Sequence, residues 1–339
     1  MTTLDAGPTP ELLAEAALRL QRWVSGCYPE PLPTALEIVV APGADPAPLL
    51  ASGLVTADTW IFADRDAAAV LAGATAATVV PTDGGFAFSG DEVALADEIF
   101  IQVFDYSSIG FLTVAGPTVV RITGDEDLAA FLADADRAAA DGGFPEQLTH
   151  PAVQLADLPA LAGAPTGSGC ARLQLAGDGT LSSGPAAPAG AEAPASGQAL
   201  DGVLTPGLLP AAHAERPWLA RYVRALDAVR RLNARRPGSI RVAGFGHRFC
   251  PDLPTVPVED VDAPLLVAID GQPHALLGAE LKMFRINAEA AVVLDAHQVL
   301  EPAAAEEHAA RALGLEPGLV RELRATLLER LHLPAGGAR

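Results

Sequence analysis

The stretch from Leu265 to Leu331 constrains this chain more than any other, because its apolar pattern changes period part-way, from two residues to 3.6. Leu265–Ile269 reads as an apolar strand, Asp270-Gly271 as a hairpin turn pair, and residues 273–277 as the returning strand, with Pro273 at its start where a missing N–H is tolerated. Gly278 breaks the pattern, and residues 281–286 give a third strand with Phe284 and Ile286 on one face and Met283 and Arg285 on the other. Asn287 then supplies a side-chain cap for a helix over residues 288–296. Pro302 opens a second helix that stops at Gly314, and Pro317 opens a third that reaches Leu331. Val320, Leu323, Leu327 and Leu331 form the inward stripe of that third helix. Three short strands followed by three helices predict a small winged-helix-like unit.

The preceding two-thirds of the chain alternates differently. A helix over residues 11–24 is entered through Thr9-Pro10. Apolar runs follow at 36–41, 60–63, 78–80, 99–104 and 118–122, separated by Ala-rich pieces and Gly/Pro/Asp turns. Gly124-Asp125 opens a helix over 127–139 that Gly142-Gly143 ends. This alternation predicts an α/β-type N-terminal domain over residues 1–150. Residues 151–262 read as a middle region: a Pro/Ala/Gly linker or surface loop at 184–197, a helix over 217–233, and a strand-like run over 239–245. The overall expectation is an α+β protein, with 263–333 as its C-terminal unit and 334–339 as a flexible tail.

The 339 residues carry 42 acids against 22 bases, a net charge of −20, which disfavours non-specific nucleic-acid binding. The charge is unevenly spread. Residues 1–215 hold 27 acids and 6 bases, whereas 216–248 hold nine arginines against Asp227 alone. Such an island either docks an acidic peptide or partner or pairs with the protein's own acidic N-terminal half. Half the residues are hydrophobic, enough to bury a core. The single cysteines Cys27, Cys170 and Cys250 do not form a disulfide framework or a CxxC motif. With no signal-peptide pattern and no run of about 18 apolar residues, a cytoplasmic protein without membrane association is expected.

Chemistry-bearing motifs are sparse. The chain has no GxGxxG after a strand, no P-loop, no HExxH and no GxSxG, so neither catalytic residues nor a cofactor are expected. The seven histidines show no metal-ligand spacing, and His297 and His308 are separated by Pro302, so no metal is expected either. Gly244-Phe245-Gly246-His247-Arg248 reads as a glycine turn and not as a phosphate cradle, because Pro251 and Pro254 interrupt any following helix.

The segment Phe284-Arg285-Ile286-Asn287-Ala288-Glu289-Ala290-Ala291, with two further helices joined through Gly-Leu-Glu-Pro, resembles the PqqD-like fold, the precursor-peptide recognition element of ribosomal peptide (RiPP) biosynthesis. Phe284, Ile286 and Asn287 match that family's step from strand three into helix one. The join at 297–302 departs from the pattern, since Glu301-Pro302 stands where a Thr or Ser cap is usual. The resemblance implies that a leader peptide adds as a strand to the edge formed by Leu281, Lys282, Met283, Phe284, Arg285 and Ile286. It also implies a groove wall from Val320, Arg321, Arg324, Leu327 and Leu328. Lys282, the only lysine, then either meets an acidic leader or blunts an exposed edge.

In size and composition the whole chain resembles the recognition proteins of daptide-type pathways. That resemblance implies a non-catalytic adaptor whose partners are a precursor leader and the separate modifying enzymes, with a homodimer as an additional arrangement. Two other classes compete. One is a peptide-modifying enzyme whose site lies in the N-terminal domain and uses Asp105-Tyr106-Ser107-Ser108 or His150. The other is a winged-helix DNA-binding regulator, which the balanced charge of the third helix disfavours: Arg321, Arg324 and Arg330 against Glu316, Glu322 and Glu329.

Overall fold

The run Glu37–Val40 is buried at all four positions, which a strand achieves only where both faces of its sheet are covered. The computed structural model describes residues 9–28, 35–163, 172–182, 184, 191–192, 210–235, 238–255, 257–278 and 280–333. Among the expectations that fall outside these residues are most of the 184–197 linker and the 334–339 tail, together with Cys170 and Arg236. The chain is mixed α and β, and it divides into two compact units: Met1–Phe131 with Ala152–Pro210, and Leu132–Pro151 with Ala211–Arg339.

The elements run, in chain order, α1 (Pro10–Ser25), β1 (Glu37–Val40), α2 (Ala47–Ala51), β2 (Trp60–Asp64), α3 (Arg65–Ala74), β3 (Thr78–Gly84), β4 (Glu92–Leu95), β5 (Ile99–Asp105) and β6 (Thr118–Arg121). Then come α4 (Asp125–Asp141), α5 (Glu146–Thr149), β7 (Val153–Leu155), α6 (Leu158–Leu161), β8 (Arg172–Leu175), β9 (Thr180–Ser182) and β10 (Ala191–Glu192). In the first unit the strands form one sheet in the order β10-β9-β8-β1-β2-β3-β4-β5-β6-β7. The ladder is parallel from β8 to β3 and again from β5 to β7, with β4 antiparallel between them.

Alternation along the strands explains the two cores. Val39, Phe62, Val80 and Val103 face α1, where Leu20 and Trp23 are fully buried. Ile38, Val40, Ile61 and Ala63 face the other way, onto Leu49 and Leu71 of α2 and α3. The indole N–H of Trp23 donates to the Leu173 carbonyl at 2.9 Å, so the largest buried ring keeps its hydrogen bond.

The second unit contains α5, α7 (Pro210–Glu215), α8 (Leu219–Arg235), β11 (Ile240–Ala243), β12 (Gly246–His247), β13 (Leu265–Ile269), β14 (Gln272–Leu277), β15 (Lys282–Arg285), α9 (Ala288–Val299), α10 (Pro302–Leu313) and α11 (Pro317–Arg330). Its sheet runs β12-β11-β13-β14-β15. The local signals are where the sequence placed them. Asp270 and Gly271 both take positive φ, at 49° and 77°, as a tight hairpin requires. The Asn287 side chain accepts from the Ala290 N–H, and Gly314 ends α10 in the left-handed region. The 244–248 segment is a glycine turn: Gly246 has φ 60°, and an added Cβ would lie 2.2 Å from the carbonyl carbon of Asp141.

The expected division at 150, 262 and 263 needs correcting. Strands β7 and β8 pair with β6 and β1, so residues 152–182 belong to the first sheet. Part of the supposed linker, Ala191–Glu192, adds to that sheet as β10. On the other side, β11 covers the free edge of β13, with Ile240 opposite Ile269, so the middle region's arginine-rich helix and strand belong with the C-terminal elements.

One buried ion pair ties this unit together. Asp295, fully buried on α9, accepts from Arg248 at 3.0 Å and from the backbone N–H groups of Phe249 and Cys250 at 2.7 and 3.1 Å. Truncating one partner would strand the other charge without water. Asp295→Ala is therefore expected to cost about 3–5 kcal/mol of stability. Urea denaturation measures it, and a loss below about 1 kcal/mol would show that the pair is not what holds the 248–250 loop on α9.

Candidate functional site

Strand β15 is the last strand of its sheet, and among the described residues its outer edge pairs with no other strand. Its inner edge runs antiparallel to β14, with Phe284 opposite Ala275 and Met283 opposite Leu276. The Ile286 N–H donates to the Pro273 carbonyl at 3.2 Å. Antiparallel ladders alternate, so Phe284 and Lys282 also turn their peptide groups to β14, while Met283 and Arg285 turn theirs to the open side. The free edge therefore offers the N–H and C=O groups of Met283 and Arg285.

The side chains around this edge divide by alternation. Phe284 and Ile286 pack against a cluster containing Ala243, Leu266, Ala275, Leu294 and Leu331. Leu327 of α11 packs against the same cluster, so the structure brings these three expected residues together. Met283 is 44% exposed on the other face. Lys282 lies 5.3 Å from the centre of the Phe284 ring, and Arg285 donates to the Gln272 side-chain oxygen at 3.0 Å. Leu328 and Arg324 are half-buried on α11.

Three expected site residues sit elsewhere. Leu281 is not in the strand: it occupies the turn from Gly278, at φ 55°, and is buried. Val320 is fully buried against Cys250, Val293, Ala305 and Ala309, so it is core and not groove wall. Arg321 reaches Glu306 of α10 at 2.7 Å, away from β15, because the stripe of α11 spirals past two neighbours.

The arginine island is mostly consumed inside the second unit. Arg221, almost wholly buried, donates to the carbonyls of Ala263 and Pro264, and Arg224 to those of Val261 and Gly278. Burial pushes the Arg221 guanidinium down to about 9, and neighbouring Arg224 adds to the effect. Arg216 pairs with Asp136, Arg230 and Arg231 with Asp227, and Arg248 with Asp295. Arg216 thus pairs with an acid of the N-terminal half, as expected, whereas Asp227 and Asp295 lie outside that half, so for the other three the expectation is revised. Asp295 and Arg221 were not singled out from sequence, although an aspartate inside the apolar run Ala-Val-Val-Leu-Asp-Ala was a readable signal.

In the first unit the candidate catalytic residues have structural partners. Asp105 pairs with the buried Arg121, whose guanidinium also binds the Phe86 carbonyl. Tyr106 is buried edge-on to Phe131, with ring centres 5.6 Å apart, and the Ser107 N–H donates to Asp127. At the carboxyl ends of β1, β2 and β3, where doubly wound sheets commonly hold ligands, the cavity measures about 10 Å³, at or below the size that holds one water. Among the described residues no three His, Cys, Asp or Glu side chains gather as a metal would require, and no helix is long and apolar enough to cross a membrane. Cys250 is buried, and desolvation, with Asp295 adding to it, pushes its thiol up to about 11, which makes it a poor nucleophile.

No family model matches the chain, and no curated protein or solved structure matches it either. The site is therefore argued from its own geometry.

His297 on α9 gives that geometry a pH dependence. Neither ring nitrogen has a partner, and burial, with nearby Arg324 adding to it against Glu306, lowers its pKa to about 4 from an ordinary 6.5. Between those values the unfolded chain binds a proton that the folded chain does not, so acid favours unfolding and the stability is lost as pH falls from 6.5 toward 4. Thermal melts across that range are expected to show a steeper fall for the wild type than for His297→Leu. Parallel curves would mean that the imidazole is solvated.

Proposed function

We propose that this protein is a non-catalytic recognition protein of ribosomal peptide biosynthesis, which binds a precursor's leader as an added strand on β15 and presents it to separate modifying enzymes. The observation that carries this reading is the open edge of β15 beside an apolar seam shared by Phe284, Ile286 and Leu327. Strand addition needs both parts: outward peptide groups supply affinity, and pockets for alternate side chains supply specificity. The order of three strands and three helices, with Asn287 capping the first helix, further supports a PqqD-like element. The narrower assignment, to a daptide-type pathway, rests on chain size and composition.

Met283→Pro tests the reading. Position 283 turns its N–H outward, so proline there removes a donor from the open edge without breaking a bond to β14. With the fluorescein-labelled leader of the precursor encoded beside this gene, the full-length wild type is expected to bind at micromolar affinity or better in fluorescence anisotropy. Met283→Pro is expected to weaken that binding at least about tenfold, with the melting temperature nearly unchanged. Phe284→Pro, which breaks the inner ladder, is expected to destabilise the unit itself. Full affinity in a folded Met283→Pro protein would refute strand addition at this edge.

A further inference from the structure

Beside the end of β15 lies a cleft of about 950 Å³. Its floor is one row across the sheet, Arg241 opposite Ala268, Ala268 opposite Pro273, and Pro273 bonded to Ile286. Its walls are the 247–249 segment, the hairpin turn, and the start of α9 at Asn287 and Ala288. The cleft is on the same sheet face as the apolar cluster under α9 and α11, since Ala243, Ala275 and Phe284 alternate in phase with Arg241, Pro273 and Ile286.

The electrostatics of this cleft favour an anion. Three arginines line it, Arg241, Arg248 and Arg285, and they are used differently. Arg248 is neutralised by Asp295. Arg285 belongs to the rim, with its side chain on the other face of β15, where it donates to the Gln272 amide; Arg241, on the cleft's own face, is exposed with no acidic partner among the described residues. Asp270 is the one acid in the lining, and its carboxylate accepts from the Ser239 N–H at 3.1 Å. Arg241 thus faces the cleft without an acid of its own among the described residues, and the one aspartate in the lining is already engaged. The first turn of the twelve-residue helix α9 adds its positive end.

We propose that this cleft binds a carboxylate-bearing stretch of the same peptide that pairs with β15, lying immediately N-terminal to the paired segment. The inference rests on the strand-addition reading and adds charge and polarity to it. The contacts from β11 through β13 and β14 to β15 are all antiparallel, and an antiparallel partner is the more stable addition. Because β15 runs from Lys282 to Arg285, a strand antiparallel to it begins opposite Arg285. Its preceding residues therefore emerge where Arg285, Ile286 and Asn287 form the rim of the cleft. A guanidinium meets a carboxylate there in a charge-assisted, often two-pronged hydrogen bond.

The test uses full-length protein, the labelled leader, and a second labelled leader whose aspartates and glutamates N-terminal to the paired segment are changed to asparagine and glutamine. Arg241→Glu lies on an exposed strand position, and Arg241→Gln is a milder second variant; thermal melts establish that each is folded. Either substitution is expected to weaken the acidic leader, by about tenfold for the charge reversal, and to leave the neutralised leader within about twofold of its wild-type affinity. Salt is expected to weaken the acidic leader more than the neutralised one.

Equal affinities of wild type and Arg241→Glu for the acidic leader would overturn the cleft assignment while leaving strand addition intact, provided that Met283→Pro still weakens binding at least about tenfold. Binding lost in Arg241→Glu but kept in Met283→Pro would place the peptide in the cleft and not on the edge, overturning the combined proposal. No binding of either leader to the wild type would overturn both readings. Competition by free N-acetylglutamate at the same concentration as the peptide would make the cleft a small-anion site and overturn the peptide assignment.

Discussion

The C-terminal architecture depends on one carboxylate that has no access to water. Asp295 projects from α9 into a position where only Arg248 and two backbone N–H groups can answer it. Removing a carboxylate from water carries a heavy desolvation cost, so the site is stable only with all its partners in place. Those partners are three consecutive residues, Arg248, Phe249 and Cys250, and satisfying them fixes the path of the loop that leaves β12. The same loop carries Phe249 into the cluster beneath Phe284 and forms one wall of the cleft. A single buried pair therefore positions the helix on which β15 packs and the chain segment that faces it.

Helix α8 applies the same logic with the opposite sign. Arg221 and Arg224 reach the carbonyls of residues 260–264, a loop with no regular partner for its backbone acceptors. The guanidinium forks satisfy several carbonyls each, which no apolar side chain could do. Two consequences follow. The arginine-rich stretch is an internal brace for most of its length, and the strand-helix element from 265 to 330 is built into a larger unit with α8 and β11. Cut away from them, β13 would expose its edge to water, the carbonyl of Ala263 would lose its arginine donors, and that of Pro264 would keep only Gln298.

What was legible in the sequence was what neighbours along the chain decide. The Asp270-Gly271 turn, the Asn287 cap, Pro302 at the first helical position and the left-handed Gly314 each depend on a few adjacent residues, and each is where its local signal placed it. Long-range pairing was not legible. Strands β7 and β8 are three and four residues long, too short for period-two alternation to register, and their sheet partners are remote in sequence. The candidate site shows the same limit on a smaller scale. A helical stripe through Val320, Leu327 and Leu331 marks the inward face of α11 but not which neighbour each residue meets. Val320 meets α9 and α10, whereas Leu331 meets the sheet. Leu281 was misplaced for a related reason, since an apolar residue before a strand reads as strand unless the left-handed turn that holds it can be seen.

An open strand edge invites any other edge, including its own copy, so its selectivity has to be built in. The described edge of β15 is four residues long, closed off by the Leu281 turn at one end and the Asn287 cap at the other. Its two ends are Lys282 and Arg285. Residues directly opposite in an antiparallel ladder both turn their peptide groups toward each other or both away, so two copies of this strand pair antiparallel only in registers centred on one residue: centred on Arg285 the two guanidiniums stand opposite one another, and centred on Phe284 the Met283 of each stands opposite Arg285 of the other. The first of these registers sets like charge against like, and the second sets an apolar side chain against a guanidinium. A strand carrying carboxylates opposite Lys282 or Arg285, or leading into the cleft beside Arg241, would answer these cations while using the same outward peptide groups of Met283 and Arg285. Charge in this way separates an acidic partner strand from a second copy of the same edge.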